Sequence, residues 1–211
     1  GGEGAGKTTA IKKLKETLPA DSFVFTREPG GTPFAEEMRK VIFANNDDPF
    51  KELCLFFAAR RDHILKVILP ALASGKNVIS DRYVSSTYAY QVVAPDRTYL
   101  ENCFGTMVRY AEASPNTSIS DSVGLKTNYI WFDGDVETLL SRRKKEGDTN
   151  SFDERSLLFH RGVRRGFTRY FEGEASRGLH FVAPSWVKVN AEASPEVLFQ
   201  SVMEKIQAII S

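Results

Sequence analysis

Short apolar runs alternate along this chain with longer stretches whose apolar residues recur every three or four positions. Runs of the first kind are typical of buried strands, and periodicity of the second kind is typical of amphipathic helices. Strands are predicted at residues 22–26, 77–80, 128–132 and 186–189. Helices are predicted at residues 11–18, 34–43, 50–74, 85–112, 135–146, 153–175 and 194–210. Strands that alternate with helices predict an α/β fold in which a parallel β-sheet is covered by helices on both faces.

The longest helical stretch, residues 50–74, contains Pro70 and is followed by Gly75. We therefore expect a bend or an end near the proline and a stop at the glycine. The chain has no repeat, no low-complexity tract and no Gly/Ser linker, which predicts a single domain over residues 1–211.

The stretch GGEGAGKTT at residues 1–9 has Gly1, Gly6, Lys7 and Thr8 at the fixed positions of a phosphate-binding loop. In such a loop, glycines let backbone N–H groups point at a triphosphate, the lysine reaches the β and γ phosphates, and the hydroxyl can ligate Mg²⁺. The helix predicted directly afterwards adds the positive end of its dipole. An ordinary glycine turn before a surface helix is the alternative, and the match to the whole pattern disfavours it. Because a phosphate loop follows a buried strand, we expect a short apolar strand upstream of residue 1.

Composition and charge narrow the class of protein. Hydrophobic residues make up 42% of the chain and charged residues 26%, as in globular proteins. A net charge of +1 gives no bulk electrostatic reason to expect a nucleic acid or a membrane as partner. No apolar run reaches the length of a membrane span, and no signal peptide is visible. Cys54 and Cys103 lack metal-binding spacing and favour reduced core thiols, so we expect a cytoplasmic protein.

Two polar signatures follow predicted strands, Arg27-Glu28-Pro29 and Asp81-Arg82-Tyr83. In parallel sheets, ligands bind beyond the carboxyl ends of the strands, and the phosphate loop belongs at the same edge. Arg27 and Arg82 are each able to fork onto a phosphate, although each one singly is more typical of a solvated side chain. Asp81 has equal claims to hold Mg²⁺ and to cap the helix that follows.

Phe56 and Arg60 are four residues apart and therefore share one face of the long helix. A ring beside a guanidinium suits a planar heterocycle with carbonyl groups, since one stacks and the other donates hydrogen bonds. The alternative is a core phenylalanine beside a surface salt bridge of Arg60 with Glu52 or Asp62, and spacing alone favours this alternative.

A basic run, residues 141–146, precedes a polar stretch at 147–151. A basic loop that closes over a triphosphate neutralises charge in the transition state, and the phosphate loop here carries Glu3 and no arginine. The alternative is the solvated last turn of a helix, where cations are favoured in any case.

Taken together, these residues resemble the thymidylate kinase family, whose members convert dTMP to dTDP with ATP. The matching pieces are GGEGAGKTT (1–9), FTREPGGT (25–32), LFFAARRDHI (55–64), SDRYVSSTYAYQ (80–91) and the basic run after residue 141. They occur in the family's order over most of the chain. The bacterial-type branch is the most similar, because it lacks an arginine in the phosphate loop and carries its cations in a lid. The resemblance implies a P-loop NTPase fold of the nucleoside-monophosphate kinase type, with a lid at about residues 142–152.

On the ATP side, the resemblance implies roles for the phosphate loop and the lid. The residues implied to bind the ATP phosphates are Gly4, Ala5, Gly6, Lys7, Thr8 and Thr9. Thr8 and Asp81 are implied to serve Mg²⁺, and Arg142 and Lys144 match basic positions of the lid.

On the dTMP side, the resemblance implies that Arg27 and Arg82 hold the phosphate and that Glu3 lies near the sugar and the phosphate. The residues implied for the base and the sugar are Phe56 as a stacking ring, Arg60 on the carbonyl edge, Thr87 and Gln91 in the base pocket, and Tyr90 against the 2′ position. The resemblance therefore implies Lys7, Arg82, Glu3, Arg142 and Lys144 as the catalytic set. It also implies a homodimer, which apolar helical residues such as those at 64–72 permit.

Three features depart from the family pattern. Asn150-Ser151 stands where the bacterial branch usually has an Asp-Arg pair, so one expected arginine is absent. Residues 92–126 are longer and more polar than expected, with residues 114–117 resembling an added surface loop. The first strand is not in the sequence. These departures suggest a divergent member, such as one from a phage or virus.

The expected reaction is a direct in-line transfer of the ATP γ-phosphoryl group to dTMP with Mg²⁺. The first alternative is a kinase with broader deoxynucleoside monophosphate specificity. The second is a P-loop ATPase or switch that acts on a macromolecular partner, for which the sequence offers no evident water-positioning residue.

Overall fold

A computed structural model describes residues 1–44, 48–113, 125–146, 155–173 and 184–210, with only the backbone described at 144–146. Most of the predicted lid, at 147–152, and residues 114–124 of the long segment lie outside the described residues. The helices are α1 (Lys7–Thr17), α2 (Pro33–Ala44), α3 (Pro49–His63), α4 (Leu69–Ala73), α5 (Val84–Thr87), α6 (Glu101–Glu112), α7 (Val136–Glu146), α8 (Leu157–Phe171) and α9 (Pro195–Ile210). The strands are β1 (Phe23–Arg27), β2 (Asn77–Asp81), β3 (Asn128–Asp133) and β4 (Ser185–Asn190).

The two longest predicted helices are interrupted by wider turns. A π-helical turn, Ile64–Ile68, joins α3 to α4 directly before Pro70. Proline has no N–H to donate, so a regular helical hydrogen bond is lost there and the ladder widens around it. The predicted helix at 85–112 is divided into α5, a π-helical turn over Tyr88–Val93 and α6, with Asp96 at a φ of 56° between them.

The strands form two parallel pairs. β1 pairs with β2 from Phe23 opposite Asn77 to Arg27 opposite Asp81, and β3 pairs with β4 in continuous register. Within the described residues, no backbone pairing joins β2 to β3. The predicted parallel, helix-covered architecture is confirmed. A groove separates β2 from β3 at the centre of the sheet.

This groove has a volume of about 330 Å³. Val78 and Ile79 of β2 and Ile130 of β3 line its two sides, and Gly1 and Lys7 line it as well. Its walls are mainly apolar and its long sides are strand edges. It therefore has the form of a slot for one more strand next to the phosphate loop.

The core has two parts. The larger part surrounds α3, α6 and α8 and includes stacked aromatic rings such as Trp131 and Phe171, whose centroids are 5.4 Å apart. The smaller part joins α1, α9 and the ends of β3 and β4. In the described ranges, no helix is both long and apolar enough to cross a membrane.

Candidate active site

The phosphate loop is shaped by glycines with positive φ. Gly4 has a φ of 68° and Gly6 a φ of 79°, a backbone region that other residues enter at a cost. A Cβ atom on Gly4 would lie 1.9 Å from the carbonyl oxygen of Leu139 in α7, so no side chain fits there. Gly6 ends the loop as the N-cap of α1 and offers no side-chain cap. The first N–H groups of α1 are thus available to an anion.

Lys7 lies in the first turn of α1 with its Nζ 2.5 Å from the carbonyl oxygen of Gly2. Burial lowers the pKa of Lys7 to about 8, and the positive charges of Arg82 and Arg143 contribute to this shift. Two negative charges, those of Glu3 and Asp81, oppose it. The ammonium group is thus buried beside both positive and negative groups, a position in which an added anion would stabilise its charged form.

Arg82 is held by Glu3 and Tyr90. Its NH2 donates to Oε1 of Glu3 at 2.6 Å, and the Tyr90 hydroxyl donates to the same oxygen at 2.9 Å. Burial alone would raise the pKa of Glu3, but Arg82, Lys7 and the Tyr90 hydroxyl outweigh it and hold the pKa at about 2. Arg82 has a φ of 72°, a strained backbone conformation for a residue with a side chain.

Asp81 is the last residue of β2, and it does not cap the following helix. The N-cap of α5 is Tyr83, without a side-chain cap. Oδ1 of Asp81 is buried and has no hydrogen-bond partner among the described residues. Thr8 is exposed in the first turn of α1.

An Mg²⁺ ion fits this donor set, because hard cations prefer oxygen ligands and Mg²⁺ keeps several waters and phosphate oxygens. The described residues contain no cluster of three or more His, Cys, Asp or Glu side chains able to hold a metal by themselves.

A pocket of about 80 Å³ opens beside the phosphate loop. It brings together the predicted acceptor residues Glu3, Phe56, Arg60, Arg82, Thr87, Tyr90 and Gln91. They come from the phosphate loop, α3, the end of β2 and the segment 84–93, which are distant in sequence.

Arg60 is 2% exposed and does not form the surface salt bridge that its spacing favoured. Its Nε donates to Oε2 of Glu28 at 2.8 Å, and its NH2 donates to Oγ1 of Thr87 at 2.8 Å. Its NH1 is buried without a hydrogen-bond partner in the described residues. Because a buried guanidinium N–H is costly to leave unmet, this atom marks a place for an acceptor on a ligand.

Arg27 is the predicted acceptor residue that the structure does not bring into the pocket. Its NH2 lies 2.9 Å from Oε2 of Glu36, and its side chain is exposed. The pocket is lined instead by Arg39 of α2, whose NH1 donates to the carbonyl oxygen of Pro29 at 3.1 Å. Burial and the nearby charges of Arg27 and Arg82 lower the pKa of Arg39. Sequence reasoning missed Arg39, and its only signal was a basic residue on α2 soon after the FTREPGGT motif.

The predicted lid residues have different outcomes. Arg142 lies on α7, and its NH1 and NH2 donate to the carbonyl oxygens of Ala191 and Glu192 at 2.7 and 2.6 Å. Its guanidinium therefore engages the loop after β4. Arg143 lies next to the phosphate loop, since a Cβ atom on Gly4 would be 3.3 Å from the Cβ atom of Arg143. The Lys144 side chain and residues 150–151 lie outside the described residues.

Comparisons with known proteins indicate the family. A family model described as thymidylate kinase matches residues 1–193. A thymidylate kinase of Acinetobacter baylyi is 36% identical over 217 aligned residues, which cover 100% of this chain and 97% of that protein. A thymidylate kinase of Wolbachia pipientis is 40% identical over 171 residues, or 78% of this chain and 79% of that protein. A crystal structure of thymidylate kinase from Ehrlichia chaffeensis is similar in fold, with a TM-score of 0.65 at 24% identity over 97% of this chain and 93% of that one.

Proposed function

Because this chain belongs to the thymidylate kinase family, we propose that its 80 Å³ pocket is the dTMP site and that the phosphate loop presents ATP to it. The chain is a kinase that phosphorylates dTMP to dTDP. The observation that carries the site assignment is the unpartnered NH1 of Arg60, which lies in the same pocket as the Arg82–Glu3 pair. NH1 of Arg60 suits a carbonyl oxygen of the base, and the guanidinium of Arg82 suits a phosphate.

For the base, Phe56 supplies a flat apolar surface and Arg60 a hydrogen-bond donor to a carbonyl oxygen. The Arg60 guanidinium is confined by the rings of Phe57 and Tyr83, whose centroids lie 5.0 and 5.2 Å from its Cζ. Thr87 is already bonded to Arg60, so it helps to fix that donor, and Gln91 completes the wall.

For the phosphate, Arg82 and Arg39 supply the positive charge. Glu3 neutralises part of the charge of Arg82 and holds it through a short ion pair. Tyr90 donates to Glu3 and packs its ring 5.0 Å from Cζ of Arg82. We assign its ring to the 2′ side of the sugar, where it would exclude a ribose hydroxyl.

For the donor, the backbone of residues 4–9 and the ammonium group of Lys7 take the ATP phosphates. Lys7 leaves its bond to the carbonyl oxygen of Gly2 when it takes up a phosphate oxygen. Thr8 and Asp81 are the residues that would hold Mg²⁺, directly or through water. When bound with ATP, Mg²⁺ supplies charge neutralisation of the triphosphate.

The phosphoryl transfer does not depend on proton abstraction by a side chain. The 5′-phosphate oxygen of dTMP is already an anion, so it needs no strong general base. The protein's task is to bring two anions together in line and to neutralise their repulsion. Lys7 and Arg82 act from the donor side and the acceptor side.

A homodimer is part of the proposal. Ile64 and Ile68 of the predicted interface segment are buried within the core of the single chain. The support comes from Phe50 on α3 and Tyr110 on α6, which are large, apolar and exposed on neighbouring helices. Sedimentation equilibrium tests this part, and a single species at 23.6 kDa over the micromolar range would contradict it.

The groove between β2 and β3 is the proposed place of an apolar strand immediately upstream of Gly1. Its two strand edges, its apolar walls and the presence of Gly1 in its lining support this part. A chain extended at the amino end by an alternating Val/Ile segment should melt at a higher temperature than the chain itself. Equal melting temperatures would contradict the proposal.

The test of function is ADP release from ATP and Mg²⁺ with each nucleoside monophosphate in turn, beside a blank without acceptor. We expect turnover with dTMP, less with dUMP, and values near the blank with purine nucleotides. Equal turnover with dGMP would favour the broader deoxynucleotide kinase, and equal turnover in the blank would favour the ATPase.

A further inference from the structure

Glu28 is a buried carboxylate that the reaction itself does not use. It is 4% exposed, and each of its oxygens has a different partner. Oε2 accepts from Nε of Arg60 at 2.8 Å, and Oε1 lies 3.0 Å from Nδ1 of His63. A buried charge held on both oxygens in this way is fixed in position.

His63 extends this arrangement away from the pocket. It is fully buried, and its Nε2 lies 2.6 Å from Oγ1 of Thr26 in β1. A carboxylate can only accept, so Nδ1 of His63 carries a hydrogen and donates to Glu28. In the neutral imidazole, Nε2 then accepts from the Thr26 hydroxyl.

The backbone encloses the arrangement on the side of β1. The N–H of Glu28 donates to the carbonyl oxygen of Asp81 at 2.9 Å, which ties it to the end of β2. A Cβ atom on Gly31 would lie 2.6 Å from Oγ1 of Thr26 and 2.8 Å from Cδ2 of His63. Glycine at this position therefore leaves the space that the Thr26–His63 contact occupies.

Toward the pocket, the Glu28–His63 arrangement leaves one nitrogen of Arg60, NH1, to donate a hydrogen bond to a ligand. Nε is taken by Glu28 and NH2 by Thr87, while NH1 is buried in the pocket without a partner among the described residues. The guanidinium is planar, so fixing two of its nitrogens fixes the third. Glu28 also balances the charge of Arg60, which leaves the pocket's net positive charge at the phosphate end.

We propose that Glu28 and His63 are positioning residues for base selection, which act by holding NH1 of Arg60 as a single donor toward a carbonyl group of the acceptor base. This inference rests on the proposed dTMP site. A donor fixed in this way forms a hydrogen bond with the carbonyl oxygen that thymine or uracil presents. It opposes the amino group that cytosine presents, because two donors then face each other.

The test compares Glu28→Gln, His63→Leu and His63→Asn by steady-state kinetics with dTMP and dCMP. Glu28→Gln retains one of two acceptor contacts, so we expect the KM for dTMP to rise about tenfold, as for one lost hydrogen bond to a charged group. The value of kcat should stay within about twofold, and the preference for dTMP over dCMP should fall by about tenfold. His63→Leu should change the KM for dTMP and the base preference in the same direction by a smaller factor. His63→Asn retains a donor toward Glu28, so both values should return toward those of the wild type.

A double-mutant cycle with Arg60→Ala separates positioning from a general loss of structure. If Glu28 acts through Arg60, then Glu28→Gln should change the dTMP dissociation constant by less than about twofold in the Arg60→Ala background. Glu101→Gln is the matched control, because Glu101 also pairs with an arginine, Arg169, and does not line the pocket. Melting temperatures identify any variant that has lost its fold, and if Glu28→Gln is such a variant, His63→Leu takes its place in the cycle.

The possible outcomes are distinct. Equal effects of Glu28→Gln with and without Arg60, or a fall in kcat with no change in KM or base preference, would overturn the positioning role. An Arg60→Ala variant with an unchanged dTMP dissociation constant would instead overturn the proposed dTMP site itself.

Discussion

The acceptor pocket and the donor loop of this kinase are built in opposite ways. In the pocket, two cations are held by acidic or hydroxyl side chains: the buried Arg60 by Glu28 and Thr87, and the partly buried Arg82 by Glu3. At the donor loop, Lys7 is held by a backbone carbonyl oxygen and Thr8 is exposed.

Under the proposed assignment, the difference predicts how each nucleotide is recognised. A buried ion pair keeps its geometry before the ligand arrives, so the pocket selects by a shape and a hydrogen-bond pattern that already exist. In the proposed donor site, the loop would bind phosphates through backbone N–H groups, and Lys7 would exchange the carbonyl oxygen of Gly2 for a phosphate oxygen. On this assignment, selection of the base belongs to the acceptor side, and Lys7 and Arg82 neutralise charge from the two sides.

Removal of the donor cation should have the largest effect. Lys7→Ala is expected to lower kcat by about a thousandfold, since an electrostatic group aimed at the transferring phosphoryl is lost. The dTMP dissociation constant, measured by calorimetry, should change by less than about twofold because Lys7 is not part of the acceptor pocket. Lys12→Ala, on the exposed side of the same helix, is the control. Loss of dTMP binding in Lys7→Ala would remove the distinction between the two sides.

Acid should weaken the acceptor side through Glu3. Its pKa is about 2 in the folded chain against 4.5 for the free side chain. A depressed carboxyl pKa contributes stability that is present above the unfolded value and lost as the pH falls through the folded value, with a full contribution of about 3 kcal/mol. The difference in unfolding free energy between the wild type and Glu3→Gln should therefore narrow from pH 5 toward pH 2. Glu37→Gln, on the surface, is the control, and a constant difference for Glu3→Gln would contradict the assignment.

Arg39 and Arg27 provide a sharper test of which cation serves the acceptor phosphate. Arg39→Ala should raise the KM for dTMP by about tenfold, because it removes a half-buried positive charge from the pocket. Arg27→Ala should change it by less than about twofold, since Arg27 is exposed and paired with Glu36. Steady-state kinetics at fixed ATP measure both variants. A larger rise in the KM for dTMP in Arg27→Ala than in Arg39→Ala would favour Arg27 as the residue that binds the phosphate.

The smallest effect is expected for Arg142. Its bonds to the carbonyl oxygens of Ala191 and Glu192 hold the loop after β4, on the donor side. Arg142→Ala should therefore raise the KM for ATP by about threefold and leave the KM for dTMP unchanged. A fall in kcat by about a hundredfold would instead place Arg142 among the groups that neutralise the phosphoryl in flight.

The sequence alone predicted most of the elements, and most of the residues that it assigned to the acceptor line one pocket, because the phosphate loop and the strand-end motifs dictate local backbone chemistry. It did not indicate that Arg27 lies outside the pocket, and the reason is simple. Successive residues at the end of a strand face opposite sides, so a buried Glu28 requires an outward Arg27. For Arg60, a surface salt bridge was the favoured interpretation because spacing does not report burial. The partner that decides its role, Glu28, is 32 residues away in the chain.

Two other features lay beyond pattern reasoning. The π-helical turn at Tyr88–Val93 divides a stretch whose apolar periodicity predicts one continuous helix. Asp81 had equal claims as a cap and as a metal ligand, and only the observed N-cap, Tyr83, separates them.

The left-handed backbone of Arg82 also sets which substitutions the position tolerates. A glycine enters this backbone region without steric cost, whereas a β-branched residue enters it only with strain. Among variants that lose the guanidinium, Arg82→Gly should therefore have a higher melting temperature than Arg82→Val.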